Sequence, residues 1–266
     1  MSIFIIIIFS VVLILMIIGI MLYIIQDKMI FHAEKLPKKY IFSFRNDFEE
    51  INLKTKDNQI LNGLLFNAND ESKGIILYFH NHSGNIMHWS SFSGYFNRLG
   101  YDVLMMDYRG YGKSTGNYNE KLMFEDSLRW YDYVLEFYDE NSITIYGCGI
   151  GGSFATYVAS LHKPKSLILE SPIYNLMFTA NRFYRFIPAK SLISKYKFDT
   201  SAYIKNVKCK VFIIHGKLNT LVDFRNGVEL QKLAKDNIDL LIIPDGNHYN
   251  LVSHSMYLHK IEKILQ

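Results

Sequence analysis

The residues of this 266-residue chain that could do chemistry fall in short runs. His80, His82, His88 and His248 are candidate bases or ligands. Cys148, Ser83, Ser153 and Ser171 carry candidate nucleophiles, and Glu170, Asp223 and Asp245 candidate acids. Nucleophilic catalysis needs a hydroxyl or thiol beside a base that a third group orients. A metal centre needs more ligands than the His80-x-His82 pair supplies, and no carboxylate or cysteine spacing completes a set. No metal and no other cofactor is therefore expected. Cys148 and Cys209 form neither a metal-ligand pair nor a disulfide framework, a usage that fits a reducing compartment.

Those groups must be positioned by an alternation of strands and helices. Two short strands over 49–54 and 59–66 flank a Lys56-Asp57-Asn58 turn. Continuous apolar runs then predict strands over 74–80, 101–107, 142–146, 165–170, 210–215 and 239–243. Helical spacing predicts helices near 88–98, 120–137, 150–161, 223–235 and 250–265. Such alternation implies right-handed crossovers and a mainly parallel sheet covered on both faces, with the site at the carboxyl ends of the strands. The chemistry-bearing residues fall there, after His80, Asp107, Tyr146, Glu170, His215 and Ile243. The aromatic and basic segment 173–198 follows a strand end, where a short lid would lie; a connector packed on the core is the alternative.

Five motifs occur in order on these elements. Gly147-Cys148-Gly149-Ile150-Gly151 has the place and spacing of a G-x-S-x-G nucleophile elbow, between a strand and a helix. His80-Asn81-His82-Ser83-Gly84-Asn85 is similar to an HGNxGN oxyanion loop, and Asp107-Tyr108-Arg109-Gly110-Tyr111-Gly112-Lys113-Ser114 to a DYRGYGxS signature. His215-Gly216 and Gly246-Asn247-His248 follow. Together they resemble the α/β-hydrolase superfamily, in particular its membrane-anchored branch, which includes depalmitoylating thioesterases and bacterial relatives of unknown substrate.

The resemblance implies a fold and a set of catalytic positions. In an active member the elbow serine attacks an ester or thioester carbonyl, a histidine takes its proton and an acid orients the histidine. Here the serine position is Gly149, which has no nucleophile, and the acid position after His215-Gly216 is Asn219. The histidine position is retained as His248. Asn81 and Ile150 fall at the oxyanion-hole positions, with Asn81 replacing a glycine, so that its side chain would crowd the pocket. Cys148, one residue off the elbow apex, should point away from that pocket. Ser153 should pack or bond backbone, Arg109 and Lys113 should be structural hydrogen-bonders, and Glu170, Asp223 and Asp245 are the alternative acids for His248.

Residues 3–25 contain no charge and would span the ~30 Å bilayer core at ~1.5 Å per residue. No basic residue precedes the run, it is too long for a signal-peptide h-region, and no A-x-A-like site follows. A retained single-pass anchor over 1–26 is therefore expected. It would be followed by a juxtamembrane connector over 27–47 and the hydrolase-fold domain over 48–266. Lys28, Lys35, Lys38 and Lys39 follow the run, which by the positive-inside rule puts the domain on the cytoplasmic side. A net charge of +4 with scattered lysines and no nucleic-acid motif gives no reason to expect a nucleic-acid partner. The function expected is a membrane-anchored, catalytically inactive pseudoenzyme with an acyl or lipid ligand. The alternative is a weak or atypical esterase or thioesterase acting on membrane-proximal acyl substrates.

Overall fold

A computed structural model of the chain describes residues 2–180, 195–248 and 250–266. The first element, α1 (Ser2–Ile30), is a 29-residue helix. Its apolar stretch faces solvent, and within Ile3–Ile30 an 18-residue window reaches a mean hydropathy of 3.5, so the helix is long and apolar enough to cross a membrane. It runs four residues beyond the sequence expectation, because Gln26, Asp27 and Lys28 tolerate helix and nothing before Ile30 breaks it.

The strands in chain order are β1 (His32–Ala33), β2 (Phe48–Lys54), β3 (Ile60–Phe66), β4 (Ile75–Phe79), β5 (Ser83–Gly84), β6 (Asp102–Met106), β7 (Ile143–Cys148), β8 (Ser166–Glu170), β9 (Lys210–Gly216) and β10 (Ile238–Ile243). Eight of them form one sheet in the order β10-β9-β8-β7-β4-β6-β3-β2. β3 runs antiparallel to both β2 and β6, and every other pair in this sheet is parallel. The parallel strands are mainly apolar, because all but the edge strand β10 are covered on both faces. Along β4, Ile75, Leu77 and Phe79 face one core cluster while Ile76 and Tyr78 face the other.

On the first face lie α4 (Glu120–Leu135) and α5 (Gly151–Leu161). Met123, Phe124, Ser127, Trp130, Tyr131 and Val134 recur at helical spacing on the buried side of α4, and Asn119 caps its start by accepting the Leu122 N–H at 3.0 Å. The other face holds α2 (Ile86–Trp89), α3 (Ser93–Arg98) and the last helix, Ser255–Leu265. The single helix expected over 88–98 is instead α2, a 3-10 turn Ser90–Phe92 and α3. Ser91 and Ser93 donate to the His88 and Ser90 carbonyls, local bonds that compete with a continuous helix. The last helix begins at Ser255 rather than near 250, because the His254 ring accepts the Met256 N–H there as a cap.

The connector is built onto the domain. Phe31 is buried immediately after α1 and packs on Tyr118, ring centroids 4.3 Å apart, and edge-on to Tyr196 and Phe198. β1 then pairs in parallel with β5, His32 with Ser83 and Ala33 with Gly84. The Gly112 N–H donates to the Glu34 carbonyl and the Leu36 N–H to that of Gly112. Near the end of α1, Asp27 holds the Lys195 ammonium at 2.8 Å. Of the segment 173–198 expected to form a lid, residues 173–180, which include α6 (Leu176–Ala180), and residues 195–198 are described, and 181–194 lie outside the described residues.

Candidate active site

The elbow between β7 and α5 is formed as its glycines require. Gly149 has φ +56°, a left-handed conformation that a side-chain residue occupies only under strain. Gly151 is needed for close approach: a Cβ there would run into the Phe79 and His80 carbonyls, so α5 could not start against β4. The Gly149 N–H donates to the Glu170 carbonyl at 2.9 Å, tying the elbow to the end of β8.

The space above Gly149 is occupied. A Cβ at Gly149 would lie 2.6 Å from Asn81 Cγ and 2.8 Å from Asn81 Nδ2, and closer still to Oδ1. The Asn81 side chain therefore sits where a nucleophile's side chain would begin, and it is 2% exposed. It is held there. Asn81 Oδ1 accepts the His82 N–H at 2.7 Å and the His82 ring Nδ1–H at 2.9 Å, which fixes the ring tautomer. The carbonyls on either side of Asn81 are pinned by the 107–114 loop: Tyr108 O–H donates to that of His80 at 2.6 Å and Tyr111 O–H to that of His82 at 2.7 Å. Asp107 accepts the Ile86 N–H, and burial holds its carboxyl above the ordinary range. That loop is anchored in turn by Arg109, which makes a bidentate pair with Asp126 and reaches Asp57 at 3.1 Å. Lys113 pairs with Glu50 at 2.8 Å and covers the Phe42 ring.

The other expected positions come to the same strand ends. Asn219 is buried in the loop after β9; its Oδ1 accepts the Leu221 and Val222 N–H groups, and its Nδ2 donates to Ser171 Oγ at 3.2 Å. His248 lies within electrostatic reach of His82 and His215. Burial lowers the pKa of His248, so its ring is disposed to be neutral. Ile150 immediately precedes α5, with its side chain buried.

The alternative nucleophiles and acids are engaged elsewhere. Cys148 is 3% exposed on the far face of the sheet, bonded to Glu170, and burial raises its thiol pKa well above the ordinary value. Glu170 does not turn to His248: it accepts from Tyr146 O–H at 2.6 Å, beside Tyr257, because it shares the strand parity of Cys148 and Tyr146. Ser153 bonds the Phe198 carbonyl and Thr200. Asp223 holds Arg225, and Asp245 holds His254 at 2.9 Å. Among the described residues no group of His, Cys, Asp or Glu is arranged to hold a metal ion.

Sequence reasoning missed His32. The β1–β5 pairing brings its ring to 5.3 Å from that of His82, and no motif marks it because a two-residue strand has no periodicity to read. Burial first, then His32, His248 and His80, lower the His82 pKa to about 4. Burial lowers that of His215 to about 4, against the opposing pull of the Gly216 carbonyl and Asp223. Unfolded, both would titrate near 6.5. Their contribution to stability is thus fully present above pH 6.5 and is lost as pH falls from there towards 4. The unfolding free energy across this acid window should fall less steeply for His82→Gln than for the wild type, by up to ~1.4 kcal/mol per pH unit for the one proton removed. Parallel slopes would contradict the assignment.

A mostly parallel eight-stranded sheet whose strand β7 passes through a glycine elbow into α5 has the architecture of an α/β-hydrolase, and the chain belongs to that superfamily. Residues 70–201 match the Hydrolase_4 family, serine aminopeptidase. The chain is 31% identical over 222 residues to an uncharacterized protein of Acanthamoeba polyphaga mimivirus, covering 74% of each. It is 30% identical over 182 residues to the lysophosphatidylserine lipase ABHD12 of Macaca fascicularis, covering 61% of this chain and 46% of the lipase, so the chain spans about half of that relative. Among solved structures, an esterase of Pyrococcus furiosus superposes with a TM-score of 0.70 at 20% identity, covering 88% of this chain and 97% of the esterase, a likeness of fold.

Proposed function

We propose that this chain is a membrane-anchored α/β-hydrolase-fold protein that binds an acyl or lipid ligand without hydrolysing it. In this reading residues 1–26 are the anchor, 27–47 the connector and 48–266 the domain, with 173–198 its cover and the domain on the cytoplasmic side. The observation that carries the inactivity is the Asn81 side chain in the space above Gly149. A missing serine alone would leave an empty elbow; here the volume is filled and hydrogen-bonded shut. Asn219, an amide at the acid position, cannot stabilise an imidazolium, and the elbow offers the retained His248 no side-chain nucleophile to activate. The lipid class of ligand rests on the lipase among the relatives and on the apolar α1. The contacts of Cys148 and Ser153 count against a substitute nucleophile. Treatment of the full-length protein with a fluorophosphonate probe should give no covalent adduct by intact-mass analysis; an adduct at any residue would overturn the inactive reading.

A further inference from the structure

Away from the elbow, a cleft of about 670 Å³ opens between the connector and the 112–119 loop. Lys35, Leu36 and Lys38 form one wall, and Lys113, Asn117 and Tyr118 belong to the other. Its charges do not cancel. Arg109 is neutralised by Asp126 and Asp57, and Lys113 by Glu50. Lys35 and Lys38 have no acidic partner among the described residues; since Arg109 already faces two carboxylates, their two ammonium groups leave the cleft one positive charge in surplus.

The position of the cleft identifies what could fill it. Tyr118, in its wall, stacks directly on Phe31, the first residue after α1. Lys35 lies five residues beyond Ile30, within ~17 Å of fully extended chain. Lys39 adds a third cation beside it, and Ile41 just beyond is 86% exposed, an apolar side chain held out from the connector with nothing of the domain against it. Surplus lysines next to an outward isoleucine, at the mouth of a membrane-length helix, match the interface of a bilayer, where cations meet anionic headgroups and an apolar side chain dips below them.

We propose that this cleft is a headgroup site for an anionic phospholipid of the bilayer that α1 enters, with Lys35 and Lys38 holding the phosphate. It rests on α1 being a membrane helix and does not depend on whether the elbow is inactive. Full-length protein in a neutral detergent is titrated with dihexanoyl phosphatidylglycerol and the adducts counted by native mass spectrometry. One saturable adduct is expected, weakened about thirtyfold in Lys35→Ala/Lys38→Ala, from ~1 kcal/mol for each lysine. Lys163→Ala/Lys208→Ala, at the far ends of the strands, should bind as the wild type does. Absence of saturable binding, or equal weakening by the control pair, would overturn the site. Equally tight competition by glycerol 3-phosphate would also overturn it, by making the ligand a soluble phosphate ester. Washing cell membranes with carbonate separates the premise: release of the chain would remove the membrane reading, whereas retention without lipid binding would remove the headgroup site alone.

Discussion

Gly149→Ser alone should be inert and less stable than the wild type, while Asn81→Gly/Gly149→Ser/Asn219→Asp should react with a fluorophosphonate and hydrolyse short acyl esters. The single change fails for two reasons. Its Cβ meets Asn81 Cγ at 2.6 Å, and it must hold φ +56° with a side chain, which costs ~1–3 kcal/mol. Removing the Asn81 side chain clears the seat and releases His82 from its two bonds to Oδ1. The acid is the easiest part to restore. Asn219 Oδ1 already accepts the Leu221 and Val222 N–H groups, which a carboxylate oxygen can do equally well, and Ser171 Oγ has only to turn from acceptor to donor. Adding Asn219→Asp to the other two should raise kcat by about 10⁴, the loss seen when a triad acid becomes an amide. Steady-state hydrolysis of p-nitrophenyl esters reads the effect. A folded triple variant that remains unlabelled would mean that His248 does not reach the elbow.

The second large effect is on stability. Arg109→Ala should cost about 3–5 kcal/mol, because it strands the Asp126 carboxylate, 8% exposed, without its bidentate partner. For a domain of this size that lowers the melting temperature by roughly 10 °C. Arg109→Met/Asp126→Leu should recover much of the loss, since an apolar pair leaves no buried charge. A drop of less than about 1 kcal/mol in thermal denaturation of Arg109→Ala would contradict the burial argument. The site should feel the change too, because Tyr108 and Tyr111 flank Arg109 and hold the carbonyls on both sides of Asn81.

The fold was legible because its parallel strands are buried on both faces and so read as apolar runs, punctuated by glycines that the elbow cannot do without. Their order on those strands is also what singles out Gly149, Asn219 and His248 as the proposed nucleophile, acid and histidine positions. Three things could not be read. The seat of the Asn81 side chain is decided by two hydrogen bonds to the next residue and by two tyrosines nearly thirty positions away. The alliance of Glu170 with Tyr146 depends on register, Cys148 lying opposite Glu170, which a list of acidic residues does not reveal. The connector's strand is two residues long, and its partner lies fifty positions on, in a loop that sequence patterning treats as irregular.

Under the inactive reading proposed above, the interlock of Asn81 with Gly149 also orders the steps by which activity was lost. While a serine stood at the elbow, an asparagine at position 81 would have collided with it, so loss of the nucleophile had to come first or together with the asparagine. Once the asparagine had settled against the glycine, restoring the serine alone became harmful. The substitution at position 81 therefore works as a ratchet: it converts a reversible loss into one that no single mutation undoes.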